Sequence, residues 1–251
     1  MERQVDVILP QEVSGLSQPA NKMTEKVPVL YLLHGAAGDQ TVWQRKTSIE
    51  RYVQDKRLAV VMPATDIGFY TDQKYGYDYF QYFSKELPEL MLEFFPMLSD
   101  KREDTFVAGL SMGGFGAFKL GINCPERFSY AASLSGFLDP VMGAETKVKS
   151  PNEENNFGTF EELKGSVNDL PAMLEAQLAA KADLPRFFQA CGTEDFLYTI
   201  NVKFRDTFKD KIDLVYYEEP GGHKWAFWDR NIQRVLDWLP LDRPKMEAKE
   251  G

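Results

Sequence analysis

The sequence predicts an α/β fold with a mostly parallel central sheet, helices on both faces and a small cap-like insertion. Three observations carry that prediction. Apolar, β-prone runs alternate with helix-compatible stretches along most of the 251 residues. One such run, residues 105–108, passes through Gly109-Leu110-Ser111-Met112-Gly113 directly into a helical stretch at 115–122. The last run is followed by a glycine-rich loop that carries His223, one of only two histidines.

The elements follow in chain order. Residues 27–33 are a dense apolar strand closed by His34-Gly35-Ala36-Ala37-Gly38, and 58–62 form the next strand. An aromatic-rich stretch (Tyr70, Tyr75, Tyr77, Tyr79, Phe80, Tyr82, Phe83) leads into a helix reaching Leu98. Aromatics in such a run are more often core or interface than a sugar- or ring-binding platform. Residues 105–108 and 128–134 are further strands, and 137–184 then interrupts the alternation with a polar run and helix-like stretches at 160–163 and 171–182. A segment this long is expected to roof a site; an ordinary surface loop with a crossover helix is the alternative. Strands at 186–191 and 212–217 bracket a helix starting near Tyr198, and a last helix reaches Leu239. No repeat, composition break or Gly/Ser linker divides the chain, so it reads as one domain over 1–251 with 137–184 as an insertion.

Strand, sharp turn with a serine at its apex, then helix is the nucleophile elbow of the α/β-hydrolase fold. The flanking glycines relieve collisions that side chains would suffer in so tight a turn. By composition alone, G-x-S-x-G arises in roughly one chain in ten of this length, so other residues must decide.

The histidines decide. The triad order is Ser, then acid, then His, so His223 is the candidate base and Ser111 the nucleophile. The acid belongs between them, just past a strand end, where Gly192-Thr193-Glu194-Asp195 lies. Asp195 is the choice and Glu194 the runner-up; an N-cap role for Asp195 is the plain alternative. Asp169 is a weaker rival because no strand precedes it. An H-G turn after the first dense strand would supply one oxyanion-hole N–H and the residue after the nucleophile another, which nominates Ala36 and Met112. His34 itself reads as structural, its ring bonded within the loop. Trp43, just beyond that loop, and Trp225, beside the base, are expected to touch substrate.

These residues resemble the esterase D group of α/β-hydrolases, most nearly the bacterial tributyrin-type esterases. The likeness rests on Tyr31-Leu32-Leu33-His34-Gly35, Trp43, the elbow from Gly109 to Ala117, Gly192-Thr193-Glu194-Asp195 and Gly222-His223. It runs from about Val27 to Leu239, and G-L-S-M-G-G is far more specific than bare G-x-S-x-G. The resemblance implies a serine carboxylesterase with no cofactor and no metal, acting on a small-molecule ester, and suggests a homo-oligomer. It also implies N-terminal antiparallel strands, which must here be short or trimmed.

Composition excludes other classes. A net charge of -9 disfavours nucleic acid and anionic membrane as partners. No 18-residue apolar run or signal-like start is present, so the chain reads as soluble and cytoplasmic. Cys124 and Cys191, in neither C-x-x-C nor zinc spacing, read as unpaired thiols. Asp66, Asp72 and Asp78 are too scattered to hold a metal. The expected activity is hydrolysis of short acyl esters. An S-formylglutathione-type thioesterase or a feruloyl or acetylxylan esterase would keep the same triad. A non-catalytic hydrolase-fold binding protein is the alternative from another class, and such proteins usually lose a triad member.

Overall fold

Strands buried on both faces need apolar residues at successive positions, and the runs read from the sequence have them. The computed structural model describes residues 3–10, 26–148 and 150–241. Among these, seven strands form one sheet: β1 (Val5–Ile8), β2 (Val29–Leu33), β3 (Ala59–Pro63), β4 (Thr105–Leu110), β5 (Tyr130–Leu134), β6 (Arg186–Gly192) and β7 (Leu214–Glu219). Their order is β1-β3-β2-β4-β5-β6-β7, parallel throughout except where β1 pairs antiparallel with β3. The helices are α1 (Val42–Lys46), α2 (Ile49–Val53), α3 (Tyr79–Gln81), α4 (Leu87–Phe94), α5 (Met112–Asn123), α6 (Pro140–Thr146), α7 (Glu153–Phe157), α8 (Phe160–Leu163), α9 (Leu170–Ala179), α10 (Tyr198–Phe208) and α11 (Trp225–Trp238).

Side chains alternate across the sheet and build two apolar layers. In β2, Val29, Tyr31 and Leu33 pack with α5, α9 and α10, while Leu30 and Leu32 pack with α1, α2 and α11. All six strands expected from sequence are present, with ends shifted by at most two residues. Val27 stands outside β2 as an isolated bridge to Leu98, because Pro28 has no N–H to continue the ladder. The short N-terminal antiparallel element is β1, four residues at the sheet edge. Tyr70, Tyr79 and Phe83 are core, whereas Tyr75 and Tyr77 are exposed. The chain ends of the 1–251 domain reading lie outside the described residues. Among the described residues both cysteines are free and buried, and no helix is long and apolar enough to cross a membrane.

Between β5 and β6 the chain does two things. Helix α9 packs on α5 as a crossover helix, with Leu170 and Leu174 in the core. The earlier part leans on residues 67–73 through buried Asn156, whose Nδ2 donates to the Ile67 and Pro151 carbonyls and whose Oδ1 accepts from Gln73. That docking holds Pro151 against the site described below.

Helix α5 is buried along its length, and with it Lys119. The ammonium donates to the Tyr70 carbonyl at 3.1 Å and to Asn168 Oδ1 at 2.6 Å, and lies 4.3 Å from the Phe80 ring centre. Burial pushes its pKa down to about 7. The native state therefore releases this proton while an unfolded lysine, near 10.4, still holds it, so stability rises with pH above 7. The gain from pH 7 to 8 is about 1 kcal/mol by that linkage. Above pH 8.5 the opposite sign enters, because burial raises the Cys124 thiol to about 11 and the native state then keeps a proton the unfolded chain loses. Urea unfolding at pH 7 and 8 is expected to show the increase in the wild type and not in Lys119→Met.

Candidate active site

The turn between β4 and α5 is held by close backbone approach. A Cβ on Gly113 would lie 2.5 Å from the Leu33 carbonyl oxygen and 2.7 Å from that of His34. One on Gly109 would strike the Gly113 carbonyl. Glycine is thus required on both sides of the serine. Ser111 itself has φ 54° and ψ −117°, a conformation non-glycine residues avoid, which stores about 1–3 kcal/mol. The rest of the turn over-determines it: Ser111 N–H donates to the Leu134 carbonyl, and its own carbonyl accepts from Phe115. Helix α5 begins at Met112, three residues earlier than the glycine-rich sequence suggests, because burial overrides propensity there.

The loops carrying Asp195 and His223 leave the C-terminal ends of β6 and β7. They are stitched by Thr193 N–H to the Glu219 carbonyl at 3.0 Å and Glu194 N–H to the Gly221 carbonyl at 2.9 Å. Gly192 lies so close to Gly221 that a side chain there would collide with its backbone. The result is a serine–imidazole–carboxylate chain. Ser111 Oγ is 2.9 Å from His223 Nε2, and His223 Nδ1 is 2.9 Å from Asp195 Oδ2 and 3.1 Å from Oδ1. The Asp195 side chain has no exposed surface and its Oδ1 also accepts from Leu197 N–H. Asp195 thus makes the turn-capping bond as well as the bond to histidine. Glu194 is exposed, and Asp169 accepts from Gly165 and Ala172 N–H at the start of α9, so neither takes part.

His34 is buried with both nitrogens engaged. Thr65 N–H donates to Nε2 at 3.0 Å, which places the ring proton on Nδ1, donating to the Gly35 carbonyl at 2.8 Å. Burial pulls its pKa below the usual imidazole value, so it stays neutral and braces the loop. Ala36 and Met112 both line the cavity beside Ser111. Their N–H groups make none of the turn and loop hydrogen bonds of the described residues.

The cavity over Ser111 has a volume of about 480 Å³, within the range of small-molecule sites. Phe69, Phe137, Val148 and Pro151 form an apolar wall; Leu110, Phe196, Leu197, Trp225 and Trp228 line it too. Phe196 is exposed with its ring 4.6 Å from that of His223, and Trp228 stands edge-on to His223 at 4.8 Å. Trp225 lines the cavity. Trp43 does not: it is fully buried, donates through Nε1 to the Leu33 carbonyl and packs edge-on against Trp225. The cause is helix phase. Val42, Arg45 and Lys46, at i, i+3 and i+4, share the face of α1 that lines the cavity, and Trp43 points a quarter-turn away. The sequence reading missed those two cations and the phenylalanines; the i, i+3, i+4 spacing after the His34 loop was the available signal.

Known proteins resemble this chain in sequence and fold. The family model described as "Putative esterase" matches residues 2–239. An acetyl esterase of Caldicellulosiruptor saccharolyticus is 32% identical over 225 residues, covering 86% of this chain and 84% of that protein. A fluorophosphonate-binding serine hydrolase of Staphylococcus aureus, solved with substrate bound, superposes with a TM-score of 0.85 at 32% identity, covering 95% of this chain and 92% of that one. The S-formylglutathione hydrolase of the same organism gives 0.82 at 32% identity, covering 94% and 92%.

Proposed function

The chain belongs to the esterase family, and on that premise we propose that it cleaves short-chain acyl esters through an acyl-enzyme formed on Ser111. That it is an ester-hydrolysing serine hydrolase follows from the family and its relatives; the residue roles and the acyl size are our reading. The observation that carries them is the unbroken hydrogen-bond chain from Ser111 to Asp195, opening into a cavity with an apolar wall.

His223 takes the Ser111 proton as the oxygen attacks the ester carbonyl, then delivers it to the leaving alcohol. Asp195 accepts from Nδ1–H, fixes the tautomer that leaves Nε2 free to accept, and stabilises the imidazolium. The N–H groups of Ala36 and Met112 face the developing oxyanion. Water then attacks the acyl carbon while His223 takes its proton, and His223 returns that proton to Ser111 Oγ as the acyl–oxygen bond breaks and the acid leaves.

Each methylene that fits the Phe69–Phe137 wall adds about 0.8 kcal/mol of burial, and the first that does not fit costs strain instead. On p-nitrophenyl esters from acetate to decanoate, kcat/KM is expected to peak between acetyl and hexanoyl and to fall sharply by decanoyl. A fluorophosphonate probe should label Ser111 alone, and an unlabelled, folded protein would overturn the reading in favour of a binding protein. The S-formylglutathione hydrolase relative supports one second reading, a thioesterase using the same triad. S-formylglutathione turned over orders of magnitude faster than butyrate esters would establish it.

A further inference from the structure

The charge at the cavity mouth is opposite in sign to that of the molecule. The chain carries a net charge of -9, yet the lining of the cavity includes Arg45 and Lys46 and, among the described residues, no aspartate or glutamate. Both cations are exposed on α1. Arg45 is oriented by its Nε, which donates to Thr41 Oγ1 at 2.7 Å, while Asp39 lies 3.5 Å from Nη2. Asp39 in turn is held by the Thr41 N–H and hydroxyl. Lys46 has no carboxylate within ion-pair distance among the described residues. Two cations lining a cleft focus a positive potential on whatever enters it.

Their position selects one end of the substrate. Trp43 of the same helix packs against Trp225, two residues beyond His223. The leaving group departs on the side of His223, since Nε2 hands it a proton. The apolar part of the lining, with Phe69, Phe137 and Val148, carries no charge. We propose that Arg45 and Lys46 form an anion-recognition site for the leaving group, and that the preferred substrates are esters of an alcohol or thiol bearing a carboxylate. This rests on the acyl-enzyme reading with His223 as acid–base.

The test uses two matched pairs. The first places charge on the leaving group: 3-carboxyphenyl butyrate against its methyl ester, 3-(methoxycarbonyl)phenyl butyrate. The second places it on the acyl group: phenyl hydrogen succinate against phenyl butyrate. Each kcat/KM is divided by that ester's alkaline hydrolysis rate to remove intrinsic reactivity. Exposed ion pairs are individually weak, so two together should favour the leaving-group carboxylate by on the order of tenfold at low salt. The preference should sit mainly in KM and shrink toward unity in 0.5 M NaCl as screening shortens. It should vanish in the Arg45→Gln, Lys46→Gln double variant and reverse in the Arg45→Glu, Lys46→Glu double variant. A ratio near one in the wild type, a ratio that survives the double variant, or a preference confined to the succinate pair would each overturn the proposal. Wild-type turnover of the neutral butyrates with no charge preference would remove this inference alone. No turnover of any of the four esters would remove the esterase mechanism with it.

Discussion

Ser111→Ala is expected to lower ester turnover by on the order of a million-fold while the protein still folds. Loss of the nucleophile leaves only oxyanion stabilisation and binding, and removal of one member of a cooperating serine–histidine pair costs nearly as much as removal of both. The fold should survive because alanine keeps the Cβ that the φ of 54° already accommodates and removes only the hydroxyl. The hydroxyl's partner, His223 Nε2, faces the cavity, so no buried polar atom is orphaned. Steady-state rates on p-nitrophenyl butyrate, with thermal unfolding as the control for folding, check it. A folded Ser111→Ala protein retaining a tenth of wild-type activity would exclude Ser111 as the nucleophile. Ser111→Gly should be equally inactive yet at least as stable as Ser111→Ala, because glycine adopts this conformation without strain.

What the sequence revealed and what it hid divide along a physical line. That Ser111, Asp195 and His223 would meet was legible because each sits where local constraint is severe. The elbow needs glycine at 109 and 113 to clear its own backbone, and Asp195 and His223 fall in turns that follow strands. With two histidines in the chain, order alone left one base. Strand positions were equally legible, since a strand buried on both faces writes itself as an unbroken apolar run.

The cavity wall was hidden because it is assembled from distant segments. Phe69 meets Phe137 and Phe157 at ring distances of 6.2 and 5.2 Å, and nothing in the spacing of those residues announces it. Trp43 illustrates the intermediate case. It was placed just beyond the His34 loop with no helix read there, and a five-residue helix leaves a single i, i+3, i+4 spacing from which to read its rotation. Burial of its indole, with Nε1 satisfied by the Leu33 carbonyl, decided which face of the helix lines the cavity. Asp195 was read as the acid with an N-cap role as the plain alternative; its carboxylate meets His223 and also accepts from Leu197 N–H, while Leu197 itself is the N-cap of α10.

That double duty shapes the second large effect, Asp195→Asn. Asparagine keeps the size and can still accept from Leu197 N–H through its carbonyl oxygen, as Asp195 Oδ1 does at 2.9 Å. The other terminal atom then becomes an NH₂ pointing at His223 Nδ1. A donor there forces the ring proton onto Nε2, and an Nε2–H donates to Ser111 Oγ where catalysis needs it to accept. The geometry survives and the tautomer is wrong, which costs roughly four orders of magnitude in kcat. Glu194 carries an exposed side chain whose neighbours in the loop are tied by backbone bonds, so Glu194→Gln should stay within about threefold of wild type. The two variants assayed side by side under identical conditions separate the acids. Near-normal activity in Asp195→Asn with collapse in Glu194→Gln would move the acid one residue upstream. Collapse in both would mean that the loop stitched by the Glu194 N–H and the Gly221 carbonyl, rather than either carboxylate, sets the position of His223.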